Sequence, residues 1–169
     1  MDIRSVVITV SDKGYAGARE DLSGPALAAA LEAMGARVIA STIVPDERDL
    51  IAQLLRDYAD GGDVDLIMTT GGTGAAPRDV TPEATQDVID RGMPGIAEVL
   101  RSEAYKKTPR AVLSRGVAGL RGQCLIVNLP GSPRAVAEGM EILAAILPHA
   151  VQMACGQDLE HGTSQHAKT

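Results

Sequence analysis

Residues 66–84 read LIMTTGGTGAAPRDVTPEA, and this stretch decides the fold. Leu66–Thr70 is a short apolar and β-branched run, the composition of a strand and too brief for a helix. It runs straight into Gly71-Gly72-Thr73-Gly74. A helix start follows at Thr81-Pro82-Glu83, with Thr81 as N-cap, Pro at the first helical position and an acid in the first turn.

The same succession of strand, loop and helix extends in both directions. Val6–Val10 is a continuous β-branched strand, and Leu27, Leu31 and Met34 then recur at helical spacing between Pro25 and Gly35. Val38–Val44 is a second such run. After it Asp46 reads as the N-cap of a helix carrying Leu50, Ile51, Leu54, Leu55 and Tyr58, stopped by Gly61-Gly62. Downstream of the central stretch, Pro94 opens a helix with Ile96, Val99, Leu100 and Ala104 on one face. Residues 112–121 read as a turn plus a short edge strand. Leu125–Leu129 is a strand ending at Pro130-Gly131, and a helix from Ser132-Pro133 carries Val136, Met140, Leu143 and Leu147 before Pro148 kinks or breaks it. Strands alternating with helices of this length specify a single α/β domain with a mostly parallel sheet and helices on both faces. Residues 1–155 form that domain, and 156–169 are polar and expected to be flexible.

Composition narrows the function. The 169 residues contain no Phe, no Trp and only Tyr15, Tyr58 and Tyr105, so the core is aliphatic and no row of base-stacking platforms exists. With 22 acidic against 16 basic residues the net charge is −6, which argues against nucleic acid as a partner. Cys124 and Cys155 form no metal-ligand pattern, and Cys124 inside CLIV reads as a buried, inert thiol. No signal peptide and no apolar run of spanning length is visible, so a soluble, cytoplasmic protein without membrane contact is expected. His149, His161 and His166 build no constellation, and no Ser-His-Asp or Cys-His arrangement can be assembled.

In an open parallel sheet, ligands bind beyond the carboxyl ends of the strands. Those ends carry Thr9, Ser11 and Asp12; Pro45 and Asp46; Thr69, Thr70 and the GGTG loop; Asn128 and Pro130-Gly131-Ser132. The glycines of GGTG allow positive φ and a close backbone approach, so the loop reads as an anion- or nucleotide-binding turn or as a plain tight turn. It is neither a Walker A loop nor a Rossmann fingerprint. Pro130–Pro133 at a helix N-terminus is a second anion-site candidate, with Arg78, Arg115 and Arg134 nearby to neutralise phosphate. Asp12, Asp46 and Asp79 lie beyond strand ends and would converge on one cleft, where carboxylates near a polyphosphate hold Mg²⁺. Asp46 reads equally as a helix cap, whereas Asp79 has no evident capping role.

Taken together, V-S-D at 10–12, D-L-S-G-P at 21–25, T-T-G-G-T-G at 69–74, R-D-V-T-P-E-A at 78–84, P-G at 94–95, L-S-R at 113–115 and N-L-P-G-S-P at 128–133 resemble the MogA/MoaB family of molybdenum-cofactor biosynthesis. The resemblance covers about residues 5–155. It implies a three-layer molybdopterin-binding fold, assembly as a homotrimer, and transfer of AMP from Mg-ATP to the terminal phosphate of molybdopterin with release of pyrophosphate. It implies that Asp46 and Asp79 are the functional aspartates and Mg²⁺ ligands. Ser11, Asp12, Thr70, Gly71, Gly72, Thr73, Gly74, Arg78, Ser114, Pro130, Gly131 and Ser132 would line the nucleotide and pterin phosphates. The pathway's molybdenum insertase is an implied partner. A non-catalytic, MoaB-type pterin-binding protein is the alternative within the family. Subunit contacts would fall on apolar stripes such as Ile96, Val99 and Leu100, or Met140, Leu143 and Leu147.

Overall fold

The structure, a computed structural model, describes residues 2–156, so the tail expected beyond Gly156 lies outside the described residues. Its strands are β1 (Arg4–Val10), β2 (Arg37–Val44), β3 (Leu66–Thr70), β4 (Arg91–Gly92), β5 (Ala118–Arg121) and β6 (Cys124–Leu129). Its helices are α1 (Asp12–Tyr15), α2 (Ser23–Ala33), α3 (Arg48–Asp60), α4 (Thr81–Gln86), α5 (Pro94–Lys107), α6 (Pro133–Leu143) and α7 (Leu147–Ala154). The sheet order is β2-β1-β3-β6-β5-β4, with the first four strands parallel and β5 and β4 antiparallel to their neighbours.

The alternation of side chains along each strand splits the core into two layers. Val6, Ile8, Val10, Ile67 and Ile126 face α3 and α4, where Ile51, Leu55 and Ala84 meet them. Val7, Met68, Leu125 and Val127 face the other way, onto Leu27 and Leu31 of α2 and Val136, Met140 and Leu143 of α6. This is the three-layer α/β arrangement. The largest fully buried side chains are Ile, Leu and Met alone, as a chain without Phe or Trp requires.

Several expectations need correction. Leu147 belongs to α7, because the chain breaks after Leu143 and resumes with Pro148 inside the first turn of a new helix, where its missing N–H costs nothing. Residues Pro109–Leu113 form a 3₁₀ turn, and β5 is covered on its outer side by β4, a two-residue strand too short to show in a sequence. The stripe Met140, Leu143 and Leu147 is consumed by the intramolecular core, as is Ile96; Val99 and Leu100 stay partly exposed.

Thr81 is the first residue of α4 and not its cap. Val80 takes the cap position, and the Thr81 hydroxyl instead donates to the Gly71 carbonyl at 3.0 Å. Ser132 does cap α6, its Oγ accepting from the Ala135 N–H at 3.1 Å.

Candidate active site

Parallel register brings four strand ends to one edge: Thr9 lies beside Thr70, Thr70 beside Leu129, and Val10 beside Val44. The loops beyond them are locked together. The Gly71 N–H donates to the Leu129 carbonyl at 3.1 Å, the Thr70 hydroxyl to the Pro130 carbonyl at 2.8 Å, and the Thr81 N–H to the Gly72 carbonyl at 3.1 Å. Gly71 sits at φ +102° and a Cβ there would lie 2.2 Å from the Val10 carbonyl oxygen. Gly72, at φ +63°, passes so close to Thr81 and Asp46 that only glycine fits. Among the described residues the N–H groups of Gly72, Thr73 and Gly74 donate to no protein acceptor, which leaves them available to an anion.

This glycine ridge divides the edge into two cavities of about 530 and 540 Å³. Gly71, Gly72, Asp79, Gly131 and Ser132 line both. The first lies between α5, the 3₁₀ turn and α6, has aliphatic walls such as Leu100, Ala104 and Leu113, and adds Thr73, Gly74, Ser114 and Pro130 from the expected residues. The second lies over the end of β1 and takes Ser11, Asp46 and Thr70. Arg110 on the rim of the first and Arg19 on the second make no ion pair among the described residues, and so offer positive charge to anionic ligands in a chain of net charge −6.

Asp12 and Arg78 line neither cavity; they build its frame. Asp12 and Asp46 hold each other reciprocally: the Asp12 N–H donates to Asp46 Oδ2 at 2.9 Å, and the Asp46 N–H donates to Asp12 Oδ1 at 3.0 Å. Arg78 forks onto Asp12 at 2.9 and 3.0 Å and reaches Glu47 at 2.9 Å. The Arg78 guanidinium, with the Asp46 N–H, holds the Asp12 carboxyl below the usual carboxylate range. Burial pushes the Asp46 carboxyl up, and the like charges of Asp12 and Asp79 add to it. Asp46 is not a helix cap, since α3 starts after Glu47 without a side-chain cap.

Asp79 does have a local role that the sequence did not reveal: its Oδ2 accepts the Ala76 N–H at 3.0 Å, closing the turn after GGTG. Neither Asp46 Oδ1 nor Asp79 Oδ1 makes a hydrogen bond among the described residues, so each carboxylate is anchored by one oxygen and offers the other. The three arginines expected to meet phosphate are all engaged. Arg78 is paired as described, Arg134 with Glu138, and Arg115 with Glu83 and two loop carbonyls.

Two residues named in the sequence only by their place, Asp21 in its motif and Asn128 at a strand end, prove to be supports. Asp21 accepts the Thr9 hydroxyl at 2.6 Å and the N–H groups of Ser23 and Gly24 at 3.0 Å, starting α2 and fixing the floor of the second cavity. An acid two residues before Ser-Gly-Pro is the local signal for this turn-closing role. Asn128 is an internal strut, donating to the hydroxyls of Thr69 and Thr85 and accepting the Val117 N–H. Burial pushes the Cys124 thiol up to about 12, which fits the inert role expected of it. Among the described residues no helix is long and apolar enough to cross a membrane, and no cluster of three or more His, Cys, Asp or Glu side chains could by itself hold a metal.

A four-strand parallel edge with a glycine ridge between two ligand-sized cavities defines the class: residues 6–149 match the probable molybdopterin binding domain, and the chain belongs to that family. Its relatives are particular. Molybdopterin adenylyltransferase of Helicobacter pylori is 40% identical over 156 residues, 91% of this chain and 89% of the relative. The molybdenum cofactor synthesis protein cinnamon of Drosophila melanogaster is 42% identical over 163 residues, 96% of this chain, which spans only 27% of cinnamon's length. Among solved structures, the molybdopterin biosynthesis enzyme MoaB of Thermus thermophilus superposes with a TM-score of 0.87 at 48% identity, covering 92% of this chain and 98% of the other.

Proposed function

We propose that the chain is a molybdopterin adenylyltransferase acting in molybdenum-cofactor biosynthesis. The observation that carries this is the shared wall of the two cavities: each has room for one ligand, and both ligands meet at Gly71, Gly72, Asp79, Gly131 and Ser132. In the reaction an oxygen of the terminal phosphate of molybdopterin attacks the α-phosphorus of ATP. A new P–O–P bond forms, the bond to the β-phosphate oxygen breaks, and pyrophosphate leaves. Two anions must approach one another, so catalysis is positioning and charge neutralisation and needs no protein nucleophile.

The chain's own groups suit that task. The unpartnered N–H groups of Gly72, Thr73 and Gly74 donate to phosphate oxygens without reorganising, because the ridge is already locked to Leu129, Pro130 and Thr81. The unpaired oxygens of Asp46 and Asp79 fit Mg²⁺, a hard cation that takes one or two carboxylates and fills its shell with phosphate and water. When bound, the ion supplies positive charge to the reacting phosphates. Asp12 and Arg78 hold Asp46 in place, and Ser11, capping the short turn after β1, shapes the second cavity. Ser114 borders the first cavity beside Gly116. The working unit is a homotrimer in the cytoplasm, which hands its adenylylated product to the pathway's molybdenum insertase.

The test is pyrophosphate release from ATP in the presence of molybdopterin and Mg²⁺, one per adenylylated pterin, abolished by a chelator. The second reading is a pterin-binding protein of the same family without transfer activity. Tight molybdopterin binding with no pyrophosphate release would establish it instead.

A further inference from the structure

Arg115 closes the loop that carries Asp79 from both ends. Its Nε donates to the Gly74 carbonyl at 2.7 Å and its Nη2 to the Asp79 carbonyl at 2.6 Å, while Nη1 meets the Glu83 carboxylate on α4. Its own backbone N–H donates to the Thr73 carbonyl at 2.8 Å. The turn inside the clamp is short: the Ala76 N–H donates to Asp79 Oδ2 at 3.0 Å, and the Asp79 N–H returns to the Ala76 carbonyl at 2.9 Å. Asp79 is folded so closely over Gly74 that a Cβ there would stand 2.8 Å from its Oδ2.

We propose that Arg115 is the positioning residue of the adenylyl-transfer site: its guanidinium fixes both ends of the 74–79 loop and thereby sets where the Asp79 carboxylate points between the two cavities. This rests on the assignment of Asp79 to the reaction made above. The chemistry explains why the position needs arginine. A planar guanidinium offers donors in several fixed directions and here spans three acceptors, one at each end of the 74–79 loop and one on α4. A lysine ammonium carries the same charge on one nitrogen and cannot bridge a carbonyl at each end of the loop and the carboxylate of α4. Arg115 does not line either cavity, so it acts through the loop and not on the ligand.

The test uses the purified full chain and the variants Arg115→Lys, Arg115→Ala, Asp79→Asn and Arg115→Lys with Asp79→Asn. Both Arg115 variants are expected to lower kcat for pyrophosphate release about 100-fold, the cost of a small misplacement at a reacting centre. KM for ATP and for molybdopterin should stay within about threefold of wild type. The double variant should be no slower than Asp79→Asn alone, because Arg115 acts through Asp79. Lysine restoring turnover, with KM for ATP raised in the alanine variant, would overturn the proposal in favour of direct charge on a phosphate. Losses that multiply in the double variant would also overturn it. Backbone hydrogen exchange gives a readout independent of activity. In Arg115→Lys the amides of Ala76 and Asp79 should lose protection while those of α3 keep theirs, and unchanged protection would sink the idea. Should the wild type release no pyrophosphate while the exchange pattern changes as stated, the proposed activity falls and the clamp on the loop stands.

Discussion

Replacing Gly71 by alanine tests the ridge on which both cavities depend. At φ +102° an L-residue is strained by roughly 1–2 kcal/mol, and the new Cβ would lie 2.2 Å from a backbone oxygen of the central strand β1. That oxygen has no rotamer in which to retreat, so an overpacking cost of roughly 1–3 kcal/mol adds to the strain. The total, about 3 kcal/mol, corresponds to a drop in melting temperature of roughly 6–12 °C for a domain of this size. Gly17 supplies the control: it too has a positive φ, +70°, but a Cβ there meets nothing within 4 Å. Gly17→Ala should cost only about 1 kcal/mol, roughly 2–4 °C. Differential scanning calorimetry of the two variants isolates the close approach from the backbone strain. Equal melting temperatures would refute the reasoning, because the ridge would then be free to move away from β1 and would not be a fixed wall.

Other outcomes follow from the carboxylates and the surface. Asp79→Asn keeps an oxygen for the Ala76 N–H and removes the charge; pyrophosphate release should fall about 100-fold with melting nearly unchanged, and wild-type turnover would remove Asp79 from the site. Asp46, whose carboxyl is pushed up by burial, stabilises the fold fully below its unfolded-chain pKa and loses that contribution as pH rises through the higher folded value. Asp46→Asn, which never ionises, should therefore melt above wild type at pH 7 and converge with it on acidification while activity is lost; a gap that widens in acid would contradict this. Asp46→Ala deprives the Asp12 N–H of its acceptor and should cost about 1 kcal/mol in urea unfolding. Light scattering after size exclusion should give a mass near three chains of 17.6 kDa, and a stable monomer would end the trimer proposal while leaving the site intact.

Much of the site was legible because strand ends in a parallel sheet share one edge. Once Val6–Val10, Val38–Val44, Leu66–Thr70 and Leu125–Leu129 read as strands, Ser11, Asp46, Gly71 and Pro130 had to be neighbours. The roles within that neighbourhood were less legible. Asp46 read equally as a cleft carboxylate and as a helix cap, yet its anchor is the backbone of Asp12, 34 positions away. Arg78 and Arg115 read as phosphate ligands from their nearness to glycine loops, and both are spent on carboxylates and carbonyls of the frame. A side chain's partner depends on distances between segments, which no local pattern encodes.

The sequence by itself determined the alternation of strands and helices, the aliphatic core, the strand that feeds the glycine loop and the family to which the chain belongs. These rest on periodicity, propensity and motif order, all of which are local or are read in register along the chain. Only the tertiary structure decided that β5 is sheltered by β4, that the glycine ridge separates two cavities rather than floors one, and that Asp79 hangs from a loop clamped by Arg115. Each of these depends on contacts between segments far apart in the sequence, where close packing and hydrogen-bond geometry select one arrangement among several that the same local pattern allows.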